Sequence, residues 1–367
     1  MARNWADLPP ELLGRCSQDL CPNDMSAFRA VCRSWRSAAV EESSGVPWLM
    51  LADKRGKRCR EFFCFQCQRV HKKFMPEVKA SIRVKAKRCL SWRGWVLTVG
   101  RDWEPQVLKN PMSRHSHVIK LPNLKKFPDI KVGYLRMYHR AYSAFIAKFV
   151  ISDSPATSPD YRVMVIYNND GRLGLWKPGD EEWTAVTSPG NFNVDVIFYK
   201  GCFFALNCKG SILRCNMDGP TPFKAQVVFK MPRELLGWEK TYLVQSTMGS
   251  LLVVSRRRLY EPRGTFRFRV FEINLETQSW KGVQTLKNTS LFLGCNSSFS
   301  LEVHEKHHIK PNCIYFTDNS LDISRYTKDG GGKDMGIYHL EDGTIELHSR
   351  GKSYSHYSPP LWIEPKF

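Results

Sequence analysis

Short apolar runs separated by turn residues are the feature that most restricts the fold of this 367-residue chain. From residue 48 onward no long helical period occurs, and runs of four to eight apolar-rich residues lie between Gly, Asn, Asp and Pro. Short strands at regular spacing with turn signals are typical of an all-β domain. The predicted strands are residues 95–99, 144–151, 161–167, 194–199, 202–206, 241–245, 251–254, 266–273 and 313–316.

A loose repeat groups these predicted strands into units. Trp183 and Trp280 occupy similar places in two units and are 97 residues apart, which is two periods of about 48 residues. Four-stranded units of about 40–50 residues have the size of propeller blades, and counting from Trp48 gives about six. The tail, residues 358–365, is predicted to be a closing strand or a packing clamp, since a propeller ring needs its ends joined. A β-sandwich or two small β domains is the alternative.

The first 39 residues show a helical pattern instead. Asp7, Pro9, Pro10 and Glu11 predict a helix start, because proline suits the first turn and acidic side chains favour the positive end of the helix dipole. Pro22 ends this helix, and two more short helices are predicted after it. Three short helices bury too little surface to be stable alone, so part of their apolar surface is expected to contact a partner.

This segment resembles the F-box family in four stretches: Leu8-Pro9, Glu11-Leu12-Leu13, Asn23-Asp24 and Val31-Cys32-Arg33-Ser34-Trp35-Arg36. The resemblance implies that residues 1–45 dock on a Skp-type adaptor and, through it, on a cullin–RING ubiquitin ligase. Cys16 departs from the family, which usually has Ile or Val there. An ordinary three-helix cap folded onto the rest is the alternative. The predicted adaptor-binding residues are Leu8, Pro9, Leu12, Leu13, Cys16, Phe28, Val31, Cys32 and Trp35.

Residues 48–367 resemble plant F-box proteins that carry a kelch-like domain of unknown function, the 295 family. Motifs that carry this resemblance are WKPGDEEW (176–183), YLVQSTMGSLLVV (242–254), KPNCIYFTD (310–318) and DMGIYHLEDGTIE (334–346). The resemblance implies a mainly β chain with an N-terminal three-helix F-box and a β-propeller-like domain. It also implies a substrate-recognition subunit of an SCF-type (Skp–cullin–F-box) E3 ubiquitin ligase. The family supplies no catalytic residue set, so we expect a receptor that is not an enzyme and needs no cofactor.

Positive charge is concentrated in the first third of the predicted propeller. The chain has a formal net charge of +20, and residues 46–130 contain 20 Lys and Arg against six Asp and Glu. Most of this charge is expected on loops, because unpaired charge within sheet packing is costly. We therefore predict an acidic protein substrate, although a solvated surface that only aids solubility is an equal alternative. The predicted substrate-steering residues are Lys54, Arg55, Lys57 and Arg58.

Nucleic-acid binding is a rival interpretation of the same charge. The basic run 83–88 lies near Trp92 and Trp95, and aromatic side chains beside basic ones can stack bases. No recognised nucleic-acid-binding module is present, so this activity is not expected. A nucleic-acid-binding or catalytically active propeller with a degenerate F-box remains the alternative function.

Cys59, Cys64, Cys67 and His71 are a candidate metal site, since thiolates and imidazole suit Zn²⁺. The run around them alternates as a strand does. In a straight strand Cys64 and His71 would lie on opposite faces, and Cys59 would lie too far from His71 to share an ion. Ordinary strand cysteines, with no metal, are therefore predicted, and a structural zinc site is the alternative.

The chain lacks the sequence signals of several enzyme classes. The run Gly330-Gly331-Gly332-Lys333 fails the phosphate-loop pattern, because Thr327 replaces its first glycine and Asp334 follows the lysine. A flexible loop is predicted there. Neither a Gly-x-Ser-x-Gly elbow nor a His-Glu-x-x-His helix occurs.

The twelve cysteines of the chain are relevant to the cellular compartment, because thiols stay reduced only in a reducing one. The N-terminus has no apolar signal-peptide core, and no run approaches the roughly 18 apolar residues that cross a bilayer. We therefore expect mostly reduced thiols, no membrane partner, and a location in the nucleus, the cytoplasm or both.

Overall fold

The computed structural model describes most of the chain, and the statements below concern these residues. They are 5–39, 45–53, 59–75, 87–109, 118–130, 142–190, 192–217, 221–232, 240–259, 264–295, 297–318, 330–347 and 353–364.

Three short helices form the N-terminal unit. A 3-10 turn, Trp5–Asp7, precedes them, and Leu13, Phe28 and Ala39 form their buried core. Pro10 and Pro22 begin the first two helices, where the missing N–H has no intrahelical partner to lose. The helices are α1 (Pro10–Gln18), α2 (Pro22–Val31) and α3 (Arg33–Ala38).

Six sheets follow, each one a blade of a β-propeller. Blade 1 contains β1 (Trp48–Met50), β2 (Cys59–Cys64), β3 (Arg69–Phe74) and the last strand of the chain, β25 (Leu361–Ile363). Blade 2 contains β4 (Arg88–Trp92), β5 (Trp95–Val99), β6 (Gln106–Lys109) and β7 (Val118–Lys120). Blade 3 follows a 3-10 turn (Leu124–Lys126) and contains α4 (Tyr142–Phe145), β8 (Ile146–Ile151), β9 (Val163–Tyr167), β10 (Arg172–Trp176) and β11 (Thr184–Val186).

The remaining blades complete the ring. Blade 4 contains β12 (Asn193–Tyr199), β13 (Cys202–Asn207), β14 (Ser211–Asn216) and β15 (Lys224–Lys230). Blade 5 contains β16 (Lys240–Gln245), β17 (Leu251–Leu259), β18 (Gly264–Asn274) and β19 (Ser279–Val283). Blade 6 contains β20 (Thr289–Leu293), β21 (Phe299–Glu302), a 3-10 turn (Glu305–His307), β22 (Cys313–Phe316), β23 (Gly336–His339) and β24 (Ile345–Leu347).

The C-terminal strand closes the ring. β25 pairs antiparallel with β1, and Trp48 lies opposite Ile363. The side chain of Trp362 is completely buried, and its ring centroid lies 5.2 Å from that of Phe292 in blade 6. The inner strands β25, β4, β8, β12, β16 and β21 contact one another in that order. The prediction of a six-bladed propeller is therefore confirmed, and the β-sandwich alternative is wrong.

Blade 6 departs from the regular pattern. Its five strands lie in the order β21-β20-β22-β23-β24. The chain therefore forms β20, the second strand of the sheet, before it forms the inner strand β21. β20 and β22 are consequently parallel, with Leu291 opposite Ile314. The pattern of apolar runs did not predict this arrangement.

The glycine run is fixed in place, which corrects the predicted flexible loop. Gly331 pairs antiparallel with Ser355, and the N–H of Gly332 donates to Asp318 at 3.0 Å. Asp334, just beyond, accepts the buried Arg256 guanidinium at 2.8 Å. The run therefore anchors the C-terminal segment and helps to join blades 5 and 6.

Candidate functional site

The nine predicted adaptor-binding residues do not form a single surface. Leu13 and Phe28 are buried, with 1% and 6% of their surfaces exposed. Leu8 and Trp35 pack partly buried against them. The rest are Cys32, which is half-buried, and Pro9, Leu12, Cys16 and Val31, which are exposed.

The inward face of α1 explains this division. Leu13 and Ser17 are four residues apart and both buried, and the Ser17 hydroxyl donates to the carbonyl of Gly14 at 2.8 Å. The predicted adaptor-binding residues on this helix are instead Leu12, Leu13 and Cys16. Ser17 was missed because its polar side chain gives no apolar signal, although its hydroxyl bonds within its own helix.

Aromatic contacts hold α3 against α2. The Phe28 and Trp35 ring centroids are 4.5 Å apart, and the Trp35 indole N–H donates to the carbonyl of Trp5 at 3.1 Å. The Ser34 hydroxyl donates to the carbonyl of Ala6 at 3.1 Å. Phe28 and Trp35 therefore support the helices from inside, and any docking through them is indirect.

Several apolar side chains on this unit face solvent, among them Trp5, Pro9, Leu12 and Val31. Trp5 is 73% exposed, Val31 57% and Leu12 47%. Several large apolar side chains exposed on so small a unit are typical of an interaction surface. That they bind an adaptor stays a prediction.

The helical unit contacts the propeller at the turn between β2 and β3. The side-chain amide of Gln66 donates to the carbonyl of Asp19 at 3.2 Å, and Arg69 pairs with Asp24. The end of β2 at Cys64 therefore faces the helices, and the end at Cys59 points away from them.

A cluster of sulfur and imidazole groups lies at the same junction. The ligand atoms of Cys21, Cys64, Cys67 and His71 all lie within 4.8 Å of one another. Cys59 is not among them, because it pairs with Phe74 at the far end of the hairpin. Cys21, at the start of α2, takes the fourth place.

The prediction that Cys64 and His71 lie on opposite faces of one strand is wrong. β2 and β3 form a hairpin, and His71 lies directly opposite Phe62. Cross-strand partners share a face, as do residues two apart on one strand, so His71 and Cys64 lie on the same face. The turn at residues 65–68 interrupts the alternation on which the prediction relied.

The two buried thiols of the cluster differ in acidity. The hydrogen bond from Cys64 lowers the pKa of Cys21 to about 6, against the opposing effect of burial. The same contact, together with burial, raises the pKa of Cys64. Burial also lowers the pKa of His71, which favours the neutral imidazole. Cys21 is therefore favoured as a thiolate that accepts a hydrogen bond from the Cys64 thiol.

A cavity of about 750 Å³ lies where the helices meet the inner strands of the propeller. Glu364 lines it, and its carboxylate accepts the backbone N–H of Arg93 at 3.1 Å. Burial raises the pKa of Glu364 to about 7. Residues from both parts of the chain line the cavity, among them Gln18, Leu20, Trp92, Phe198, Gln245 and Phe299.

The structure describes the two tryptophans considered for base stacking but not the four predicted steering cations. Lys54, Arg55, Lys57 and Arg58 lie outside the described residues, so their steering role stays a prediction. Trp92 and Trp95 are 6% and 4% exposed and lie in the propeller core. So little of either ring is accessible that the two tryptophans do not support base stacking on the surface.

Comparison with known families fits this architecture. An F-box domain model matches residues 5–44, which contain all three helices. A model described as the KIB1-4 β-propeller matches residues 62–339, about three quarters of the chain. The chain belongs to the KIB1-4 β-propeller family. The kelch-like character and the 295-family assignment stay predictions, as do the domain boundaries 1–45 and 48–367.

Relatives of this KIB1-4 chain in Arabidopsis thaliana are similar over nearly their whole length. F-box protein SKIP23 is 24% identical, with 98% of this chain and 95% of that protein covered. F-box/kelch-repeat protein At1g57790 is 27% identical, covering 98% and 94%. F-box protein At2g17036 is 24% identical, covering 98% and 95%.

The sulfur cluster of this KIB1-4 chain contains residues from both matched regions. Cys21 lies within the F-box match, and Cys64, Cys67 and His71 lie within the propeller match. The cluster therefore joins the two domains. Within the part of the chain that the structure describes, no helix is both long enough and apolar enough to cross a membrane.

Proposed function

We propose that this chain is the substrate-recognition subunit of an SCF-type ubiquitin ligase in the nucleus or cytoplasm. Its F-box would dock a Skp-type adaptor, and its propeller would bind a protein substrate. The observation that carries this proposal is the exposure of Leu12 and Val31 on helices that Asp19 and Asp24 fix to blade 1. A domain can offer apolar side chains to a partner while it is held rigidly by its other side.

The proposed role involves no covalent chemistry by this chain. Holding a substrate lysine near a charged ubiquitin-conjugating enzyme raises its effective concentration, and this proximity is the contribution of a receptor. The F-box contacts the Cys64 end of β2. We infer that the substrate binds at the other face of the propeller, at the Cys59 end of β2, where an adaptor on the helices leaves it accessible.

Equilibrium binding of the full chain to a Skp-type adaptor tests the docking. Leu12→Asp combined with Val31→Asp should weaken binding at least about 30-fold, because each buried apolar anchor contributes on the order of 1–4 kcal/mol. Leu347→Asp is the matched control, since Leu347 is 82% exposed on β24 of blade 6. Equal affinities for all three proteins, with circular dichroism spectra unchanged, would contradict the proposal.

The proposal includes an acidic substrate, on the strength of the charge in residues 46–130. Exposed charges act over about 8 Å at physiological salt, so they should accelerate encounter more than they set the final affinity. Lys54, Arg55, Lys57 and Arg58 precede Cys59 in the sequence. Cys59 begins β2 at the end of the strand that points away from the F-box.

A poly-glutamate peptide is a suitable probe for this charge, with association rates measured at low and high salt. Reversing Lys54, Arg55, Lys57 and Arg58 to Glu should slow association about tenfold at low salt and weaken its salt dependence. The matched control reverses four exposed cations of blade 4, which changes the net charge equally: Lys209, Arg214, Lys224 and Lys230. Equal slowing by both sets would assign the effect to net charge and contradict local steering.

A further inference from the structure

Four potential metal ligands converge where the F-box meets blade 1. Cys67 Sγ lies 3.0 Å from His71 Nε2, and Cys21 Sγ lies 3.7 Å from the same nitrogen. All four ligand atoms, including the Sγ of Cys64, lie within 4.8 Å of one another. Cys21 and Cys64 are buried, and Cys67 and His71 are half-buried.

These separations match the coordination sphere of zinc. Tetrahedral Zn²⁺ takes sulfur at about 2.3 Å and nitrogen at about 2.0–2.1 Å, which places its ligand atoms roughly 3.5–3.8 Å apart. The sulfur–nitrogen distances from Cys67 and Cys21 to His71, 3.0 and 3.7 Å, are close to this range. Movements of about 1 Å would bring all four atoms to zinc geometry. Four protein ligands leave no open position, as in structural sites.

The hairpin holds three of the ligands in a preformed arrangement. Cys64 ends β2, Cys67 lies in the turn and His71 lies on β3. Gln68 has a φ of +56°, and its side-chain amide donates to the carbonyl of Phe65 at 2.6 Å, which closes the turn. The strand pairing and the turn thus direct the three ligand atoms to one side of the hairpin.

The surroundings suit a charged metal centre that is kept from water. Trp48, Met50 and Phe62 pack around the two buried cysteines, and the imidazole of His71 lies 5.2 Å from the ring of Trp48. Three thiolates around Zn²⁺ carry a net charge of −1. The guanidinium of Arg69 interacts with Cys67 as well as with Asp24, so it would offset part of that negative charge.

We propose that Cys21, Cys64, Cys67 and His71 bind one structural Zn²⁺ that joins the F-box to the first blade. A disulfide would link only two of these groups and leave the third thiol and the imidazole unused. The ion would fix the angle between the two domains, because one ligand comes from α2 and three come from the hairpin. This inference goes beyond the proposed function and would stand if the partner of the F-box proved different.

Metal analysis of the purified full chain tests the site. We expect about one zinc per chain in the wild type and at least a fivefold loss in Cys21→Ser and in Cys67→Ser. Cys16→Ser and Cys59→Ser are the matched controls, since both residues are exposed thiols outside the cluster, and both variants should keep their zinc. Zinc that persists in Cys21→Ser would overturn the claim that the ion joins two domains.

Cobalt substitution of the wild type gives an answer that does not depend on whether the variants fold. Replacing zinc with Co²⁺ should produce a thiolate-to-cobalt charge-transfer band and the intense d–d bands of a tetrahedral centre. Thiol titration should show three more reactive cysteines after the metal is removed. A metal-free wild type with a Cys21–Cys64 disulfide in its mass spectrum would overturn the proposal, as would an octahedral cobalt spectrum.

Discussion

The Nζ atom of Lys148 lies 2.9 Å from Oδ1 of Asp195, and both side chains are almost completely buried. Lys148 belongs to β8 and Asp195 to β12, the inner strands of blades 3 and 4. Oδ2 of Asp195 also accepts the N–H of Leu243 on β16 at 2.8 Å. Burial raises the pKa of Asp195, and Lys148 opposes that effect. One carboxylate therefore links three inner strands.

Removing the cation of this pair should destabilise the propeller. Lys148→Met leaves an unpaired buried carboxylate, which costs about 3–5 kcal/mol in the free energy of unfolding. Urea unfolding at pH 7 measures this cost, and Lys209→Met, at an exposed lysine, should change it by less than about 0.5 kcal/mol. Adding Asp195→Asn to Lys148→Met should recover part of the loss. Equal stability of Lys148→Met and Lys209→Met would contradict a structural role for the pair.

The carboxyl group of Glu364, which lines the cavity, should make the free energy of unfolding depend on pH. Burial raises the pKa of Glu364 to about 7, above the value of about 4.3 in an unfolded chain, so the folded state binds this proton more tightly. Its contribution to stability is therefore full below pH 4 and is lost as pH rises through 7. Glu364→Gln should be more stable than the wild type by about 2 kcal/mol at pH 8, with little difference at pH 4.5.

Comparing the two proteins at each pH removes the contribution of other cavity groups. His304 and His307 line the same cavity, and burial lowers the pKa of His307. Both proteins contain these histidines, so their titration cancels in the difference. A difference between Glu364→Gln and the wild type that stays constant from pH 4.5 to 8 would contradict the raised pKa.

Alanine substitutions at Gly179 and Gly332 would distinguish the cost of backbone strain from the cost of a steric clash. Both have positive φ angles, +107° at Gly332 and +92° at Gly179. A Cβ at Gly332 would lie 2.1 Å from the carbonyl oxygen of Ser353, whereas nothing lies within 4 Å of a Cβ at Gly179. Gly179→Ala should lower the free energy of unfolding by about 1 kcal/mol and Gly332→Ala by at least about 3 kcal/mol. Equal losses would show that the glycine run is not held tightly.

Deleting the closing strand should open the ring. Removal of residues 358–367 exposes the edge of β1 and the pocket that Trp362 fills, so we expect the thermal midpoint to fall by at least about 10 °C. Removing only residues 365–367 keeps β25 and is the matched control. An unchanged midpoint in the larger deletion would mean that this tail does not close the propeller.

The strands were predictable from the sequence because each depends on its own residues. The runs 95–99 and 313–316 coincide with β5 and β22, since apolar side chains between turn residues determine a strand locally. The run 144–151 was wrong at its start, where α4 occupies Tyr142–Phe145. Ala144 and Phe145 give no periodic signal that separates a single helical turn from a strand.

The contact between the F-box helices and blade 1 could not be predicted from the sequence, because it joins segments that are far apart in the chain. Cys21 meets His71 across 50 residues, and no periodicity of either segment shows that contact. Cys59 is near the other three ligands in sequence, but the hairpin places it at the opposite end of β2 from Cys64. The exposure of Leu12 and the burial of Leu13 likewise depend on how α3 packs, which a single helical face does not reveal.

The most direct test of the receptor account is the mass of an assembled complex. Light scattering of the full chain mixed with a Skp-type adaptor and the N-terminal half of a cullin should give a single 1:1:1 species. With Leu12→Asp and Val31→Asp in the chain, the adaptor and cullin should elute together without it, whereas Leu347→Asp should assemble like the wild type. Elution of the folded wild-type chain apart from the adaptor and cullin would contradict the account.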